Sequence, residues 1–325
     1  KKVYMGIYVD ADVSLTSNDG YDDDICGFKK SIPSSTGCGF IDTVNIAWIA
    51  DNDGKHSAGD NCPFTVNGSL TAVTGARIIR TPSDSLKYSF NWWISSGDAA
   101  SDFGPRMIDR PDDPFYDFGG YLGTPEGDKN KYYIMRHEEF DYDQLFSGKD
   151  HTEDGWLDVP DGAENFADGY DTRYLLSFGP FDIAPGEILP ISFAYIAGAD
   201  FHGPGDCQTF AELFDPLYPE IYYNTLSFED LGLNSVWASW IYDNPGVDTD
   251  GDGFKGKFRV CVNDADTIII DTAGYPFPPE TTIVYNNADT FYYEGDGVPD
   301  FRGAAPPTPP IVRVIPRVNE FNEGE

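Results

Sequence analysis

Long apolar runs are missing from this chain: no stretch reaches the 18 or more apolar residues of a membrane-spanning helix, so none is expected to cross a bilayer. Positive charge is scarce as well. Lys and Arg total 21 against 55 Asp and Glu, and the formal net charge of -34 sets up a surface field that repels nucleic acid and anionic lipid while attracting cations. Neither nucleic-acid binding nor membrane insertion is expected. Histidine is limited to 4 residues and cysteine to 5. His137-Glu138-Glu139 lacks the second histidine of the H-E-x-x-H zinc-protease helix, and Lys55-His56-Ser57-Ala58-Gly59 lacks the first glycine of the G-x-S-x-G nucleophile elbow. No C-x-x-C spacing occurs among Cys26, Cys38, Cys62, Cys207 and Cys261, which argues against a zinc or thioredoxin-like site. They are read as disulfide partners, Cys26 with Cys38 or Cys38 with Cys62 forming local staples, with buried thiols as the alternative.

What the chain has in abundance is aromatic and acidic. Aromatics make up 15% of it, with 20 Tyr and 23 Phe, enough to build a packed core despite the charge. Alternating apolar segments bounded by Gly, Pro, Asn and Asp recur at 3–9, 44–49, 76–80, 86–94, 174–178, 188–196, 257–262, 267–270 and 281–285. Many short strands joined by turns predict a mainly β fold, a β-sandwich or jelly roll with long loops. Trp92 and Trp93 are adjacent in one such strand, so one ring is expected on each face. Between 207 and 241 the period changes: Phe210, Leu213, Phe214, Leu217, Ile221, Leu231, Val236 and Trp240 recur every three or four residues, predicting a helical segment on the sheet, broken near Pro216 and Pro219. The polar stretch from 96 to 170 is too long for an ordinary connection and reads as elaborated loops.

The densest signal is Asp248-Thr249-Asp250-Gly251-Asp252-Gly253-Phe254, an aspartate at every second position closed by glycine. Carboxylates this close repel one another unless a hard cation lies among them, and Ca²⁺ takes six to eight oxygens at about 2.3–2.6 Å. Asp248, Asp250 and Asp252 would each give one oxygen, with the Phe254 carbonyl as the natural fourth ligand. A helix-loop-helix hand would also need a bidentate Glu at the twelfth position, which is Arg259 here, so the remaining ligands have to come from elsewhere. A metal-free Asp/Gly turn is the plainer alternative. A second acidic group follows two expected strands: Asp10 and Asp12 with Asp22, Asp23 and Asp24, and Asp51 with Asp53, which would converge if those strands were neighbours. A third, Glu294, Asp296 and Asp300, could bind its own ion or complete the shell of the first.

Domain organisation is expected as a calcium-stabilised β module over 1–303, a stiff Pro-rich linker over 304–310 and a C-terminal strand or arm over 311–325. The phrases Tyr4-Met5-Gly6-Ile7-Tyr8-Val9-Asp10, Ser177-Phe178-Gly179-Pro180-Phe181-Asp182 and Tyr242-Asp243-Asn244-Pro245-Gly246-Val247-Asp248 resemble β-rich regions of large modular secreted or cell-surface bacterial proteins, in which fibronectin type III-like sandwiches are common. Gly295-Asp296-Gly297-Val298-Pro299-Asp300 is similar to the calcium repeats of the thrombospondin type 3 class. The resemblance implies a secreted, extracellular or cell-surface module holding Ca²⁺. On this reading the chain is a structural protein whose partners are adjoining modules or other copies of itself, assembled into a filament or array through the arm. A carbohydrate-binding module that takes glycans through its aromatics is the rival, and a glycoside hydrolase stands behind it. With so many acids, no catalytic pair is singled out, and no enzyme is expected.

Overall fold

The computed structural model describes residues 2–13, 24–34, 41–52, 70–83, 85–94, 127–136, 143–146, 167, 169–203, 212–256, 267–271, 280–284 and 294–301. Nine strands are named among them. β1 (Val3–Asp10), β5 (Lys87–Ile94) and β6 (Thr172–Phe181) form one antiparallel sheet in the order β1-β6-β5. β2 (Asp24–Pro33), β3 (Ile41–Asp51), β4 (Val73–Arg80) and β7 (Ser192–Gly198) form a second, in the order β2-β3-β4-β7. A two-stranded ribbon, β8 (Thr267–Asp271) with β9 (Glu280–Val284), is separate. The helices are α1 (Gly127–Ile134), α2 (Glu220–Tyr223) and α3 (Glu229–Tyr242). The fold is mainly β, as the alternation predicts.

The first core lies between the two sheets. Ile7 of β1, Phe90, Trp92 and Ile94 of β5, and Tyr174, Leu176 and Phe178 of β6 meet Cys26, Ala47, Ile49, Ala76 and Ile78 from the four-stranded sheet. Period-two alternation sends the intervening residues of β3 the other way: Val44, Ile46, Trp48 and Ala50 face a second core with Phe201, Tyr222, Leu226, Phe228 and Leu231. β3 is therefore buried on both sides, and burying Trp48 alone removes enough apolar surface to stabilise the fold by a few kcal/mol. Gly198 permits that layering. A Cβ there would stand 2.5 Å from the Leu231 backbone nitrogen, so only glycine lets α3 approach β7 this closely.

Trp92 and Trp93 point to opposite faces and both are buried, Trp92 in the inter-sheet core. On the outer face Asn91 Nδ2 donates to the Ile134 carbonyl at 3.1 Å and Ser177 Oγ to that of Met135 at 3.2 Å, so the α1 region covers that side. Cys26 is a buried thiol within the sandwich and not half of a local staple; the other four cysteines lie outside the described residues.

Chain contacts divide the molecule into two compact units, Lys1–Ala238 and Ser239–Glu325, with the boundary inside α3. The expected strand at 257–262, the Pro-rich linker and the arm at 311–325 lie outside the described residues. Among the described residues no helix is long and apolar enough to cross a membrane.

Candidate metal centre

The 248–254 loop turns on its own carboxylates. Gly251 N–H and Gly253 N–H donate to the two Asp248 oxygens at 2.7 and 3.0 Å, Asp252 N–H to Asp250 Oδ1 at 3.2 Å, and Phe254 N–H to Asp252 Oδ1 at 2.7 Å. These are side-chain-to-backbone turns of the kind aspartate favours. Gly251 and Gly253 hold φ of 79° and 91°, left-handed backbone that an L side chain adopts only with strain. Gly246 N–H closes the loop on the Lys255 carbonyl at 2.9 Å.

A second segment, 294–301, docks on this loop. Asp296 accepts the Thr249 amide at 2.5 Å and the Val298 amide at 2.9 Å, and these hydrogen bonds hold its carboxyl below the usual range. Gly297 N–H donates to Asp243 Oδ2 at 2.8 Å, Asp300 N–H to the Tyr242 carbonyl at 3.0 Å, and the Phe301 ring packs edge-on against Tyr242 at 5.2 Å. One ligand oxygen each from Asp248, Asp250 and Asp296 lies within 4.8 Å of the others. Oxygens on opposite sides of a Ca²⁺ are separated by about the same distance, roughly twice its 2.3–2.6 Å bond length. The three could hold a metal ion.

Asp243 was not anticipated. Its Oδ1 is buried with no hydrogen-bond partner, and its carboxyl titrates higher than usual, first because of burial and then because of the Asp296 charge. Its place in Asp243-Asn244-Pro245-Gly246, a turn just ahead of the loop, was the only sequence signal.

The first and third acidic groups thus meet through Asp248, Asp250 and Asp296. Asp252 lies outside the trio with one oxygen on the Phe254 amide, Phe254 is exposed, Glu294 is exposed, and Asp300 contributes its amide to the segment pairing. The second acidic group converges only in part: Asp24 and Asp51 are register partners across β2 and β3. β1 pairs with β6 in one sheet while β3 lies in the other, between β2 and β4, so the two strands assumed to be neighbours are not. Asp10 pairs with Arg173 Nε at 3.0 Å, and the same guanidinium holds Asp171 at 2.8 Å. Asp12 is exposed, Asp24 accepts the Val13 amide at 3.2 Å, and Asp51 accepts the Leu70 amide at 2.8 Å. Asp22, Asp23 and Asp53 lie outside the described residues.

Elsewhere, a buried polar cluster went unread in the sequence. Asp143 accepts the Phe28 amide at 2.7 Å, and burial pushes its carboxyl up to about 6. Lys29 Nζ donates to the Tyr223 hydroxyl at 3.3 Å and lies 4.3 Å from the centre of the Phe228 ring, a cation–π contact. His202 is buried against the Asp51 carbonyl at 2.7 Å, and burial lowers its titration to about 4. No protein-family model, curated protein or solved structure matches the chain.

Proposed function

We propose that the protein is a structural module of a secreted or cell-surface protein, in which Ca²⁺ ties the 243–256 loop to the 294–301 segment. The observation that carries this reading is the meeting of Asp248 and Asp250 with Asp296, which come from separate segments. An all-carboxylate, all-oxygen set suits a hard cation, and its irregular loop geometry suits Ca²⁺ better than Mg²⁺, which demands a near-ideal octahedron at about 2.0–2.1 Å. Asp243, with a buried oxygen lacking a hydrogen bond, is a further donor beside the trio. Such an ion cross-links two loops and adds its binding free energy to folding. The role is a tie, since the twelfth position of the loop is Arg259, where a helix-loop-helix calcium switch carries a bidentate Glu. Calorimetric titration of the full chain tests it: one Ca²⁺ at this centre, lost in a Asp248→Asn/Asp296→Asn double variant, is expected, and equal binding by wild type and variant would refute it.

The carbohydrate-binding alternative draws less support. Trp92 and Trp93 are buried, and the exposed Phe193 and Tyr195 rings stand at 87° to each other, whereas a sugar face stacks on coplanar rings.

A further inference from the structure

A lysine, a tyrosine and an aspartate meet inside the first compact unit, on the face of β2 that sends Ile25 into the second core. Gly27 and Lys29 share that face by period-two alternation. A Cβ at Gly27 would collide with the Asp143 carboxyl and with the Trp48 ring, so the glycine leaves a slot that the carboxyl fills. There Asp143 Oδ1 accepts the Phe28 amide at 2.7 Å, and the carboxyl is hydrogen-bonded to the Tyr223 hydroxyl as well. Lys29 Nζ donates to the same hydroxyl at 3.3 Å and lies 5.0 Å from the centre of the Tyr223 ring and 4.3 Å from that of Phe228. Amine and carboxyl thus stand on either side of one phenol, among aromatic rings.

Burial drives both groups toward their uncharged forms. It holds the Lys29 ammonium below its ordinary titration range, with Asp143 pulling the other way, and it pushes the Asp143 carboxyl up to about 6. A buried ion pair gives up much of its Coulombic gain to desolvation, whereas an amide carries no charge to desolvate. Neutral amine beside neutral acid is also the reactive combination, because the nitrogen keeps its lone pair and the carbon is not shielded by a negative charge. The Phe28 N–H on Oδ1 is placed to stabilise the oxyanion that attack on Cγ creates.

We propose that Lys29 and Asp143 condense into an amide that locks β2 to the 143–146 segment. Lys29 Nζ swings toward the carboxyl by about 3 Å, one hydrogen-bond length, and its lone pair forms the Nζ–Cγ bond. One Cγ–O bond breaks. The oxygen leaves as water, taking the carboxyl's own proton and one from Nζ, which the Tyr223 hydroxyl passes between them. Well-oriented intramolecular partners reach effective concentrations of about 10⁵–10⁸ M, which favours a condensation that free solutes in water do not undergo. No entering substrate is needed, in keeping with the burial of Asp143. The freshly folded chain carries both as free, titrating groups; once joined, neither titrates. The link secures a contact already made between Phe28 and Asp143, 115 residues apart, and it holds in chelator, unlike a calcium tie.

Intact-mass spectrometry of the full chain, reduced and denatured after storage in the folded state, tests the inference. Wild type is expected to be one water lighter than its sequence, and Lys29→Arg and Asp143→Ala to have their full sequence masses. Tryptic mapping should find the peptide containing Lys29, uncut at that lysine, joined to the peptide containing Asp143. Tyr223→Phe keeps the ring but cannot carry the proton, so the loss of water should slow about 100-fold with the far-ultraviolet spectrum unchanged. Wild type at its full sequence mass, a water loss that persists in Lys29→Arg, a water loss that maps to an aspartyl-glycine succinimide instead, or an unslowed Tyr223→Phe would each overturn the inference. The mass is read on the denatured chain, so the outcome is separate from Ca²⁺ binding, and the calcium tie stands or falls on its own titration.

Discussion

The backbone N–H of Thr249 donates to the Asp296 carboxylate at 2.5 Å across 47 residues of sequence. That bond sets two aspartate-bearing segments side by side, and it also fixes which oxygens Asp296 can turn toward Asp248 and Asp250. Neither segment holds a full shell for an ion that takes six to eight oxygens. Together they hold the beginnings of one.

Removing charge from the centre should weaken Ca²⁺ binding while leaving the sandwich core intact. The Thr249 and Val298 amides donate to different oxygens of Asp296, so Asp296→Asn keeps an acceptor for only one of them and removes a hydrogen bond along with the charge; a loss in Ca²⁺ affinity of about 10- to 100-fold is expected. Isothermal titration reads it directly.

Backbone conformation at the loop is a separate lever. Gly253→Ala meets no neighbouring atom within 4 Å but must hold a φ of 91°, so the expected cost is pure strain, about 1–2 kcal/mol, felt by the calcium-bound form. Titration against Gly253→Ala should show weaker Ca²⁺ binding with the sandwich spectrum unchanged.

In the sandwich, Gly198→Ala should be costly for the opposite reason. The added methyl has ordinary backbone freedom but meets the Leu231 backbone, so α3 must move away from the sheet at about 1–3 kcal/mol. A shift of the urea midpoint at unchanged slope would measure it.

Two buried groups give opposing pH dependences. Asp143 titrates at about 6 in the folded protein, above its ordinary 3.8, so its share of stability is present below about 3.8 and lost as pH rises through about 6. His202 titrates at about 4, below its ordinary 6.5, so its share is present above about 6.5 and lost as pH falls toward 4. Between pH 4 and 6.5 the two partly cancel. Relative to wild type, Asp143→Asn should lose stability more steeply on acidification and His202→Gln less steeply, in urea melts across that window.

Much of the sandwich was legible because apolar, β-branched and aromatic segments bounded by turn residues read as strands at β1, β3, β5 and β6, even though β3, β5 and β6 are buried along most of both faces. β2 was not, because Gly27, Lys29, Lys30 and Pro33 break the pattern of Asp24–Pro33. Tertiary contacts account for them: Gly27 leaves room for Asp143 and Trp48, and the Lys29 ammonium lies over the Tyr223 and Phe228 rings. β7 begins at Ser192, later than the apolar run from Ile188 suggests, since Pro190 cannot donate to a ladder. The Asp248 loop announced itself through spacing that a turn and a cation both require. Strand adjacency has no such local signal, which is why Asp10 and Asp51 were grouped although they stand in different sheets.

Thermal unfolding of the full chain tests most directly whether a calcium ion ties Asp248 and Asp250 to Asp296, as proposed. Saturating Ca²⁺ at about 100 times its dissociation constant contributes roughly 2.7 kcal/mol to the form that binds it, which should raise the melting temperature of that transition by several degrees over excess chelator. The Asp248→Asn/Asp296→Asn variant should show no such rise. Superimposable wild-type transitions in Ca²⁺ and in chelator would contradict the account.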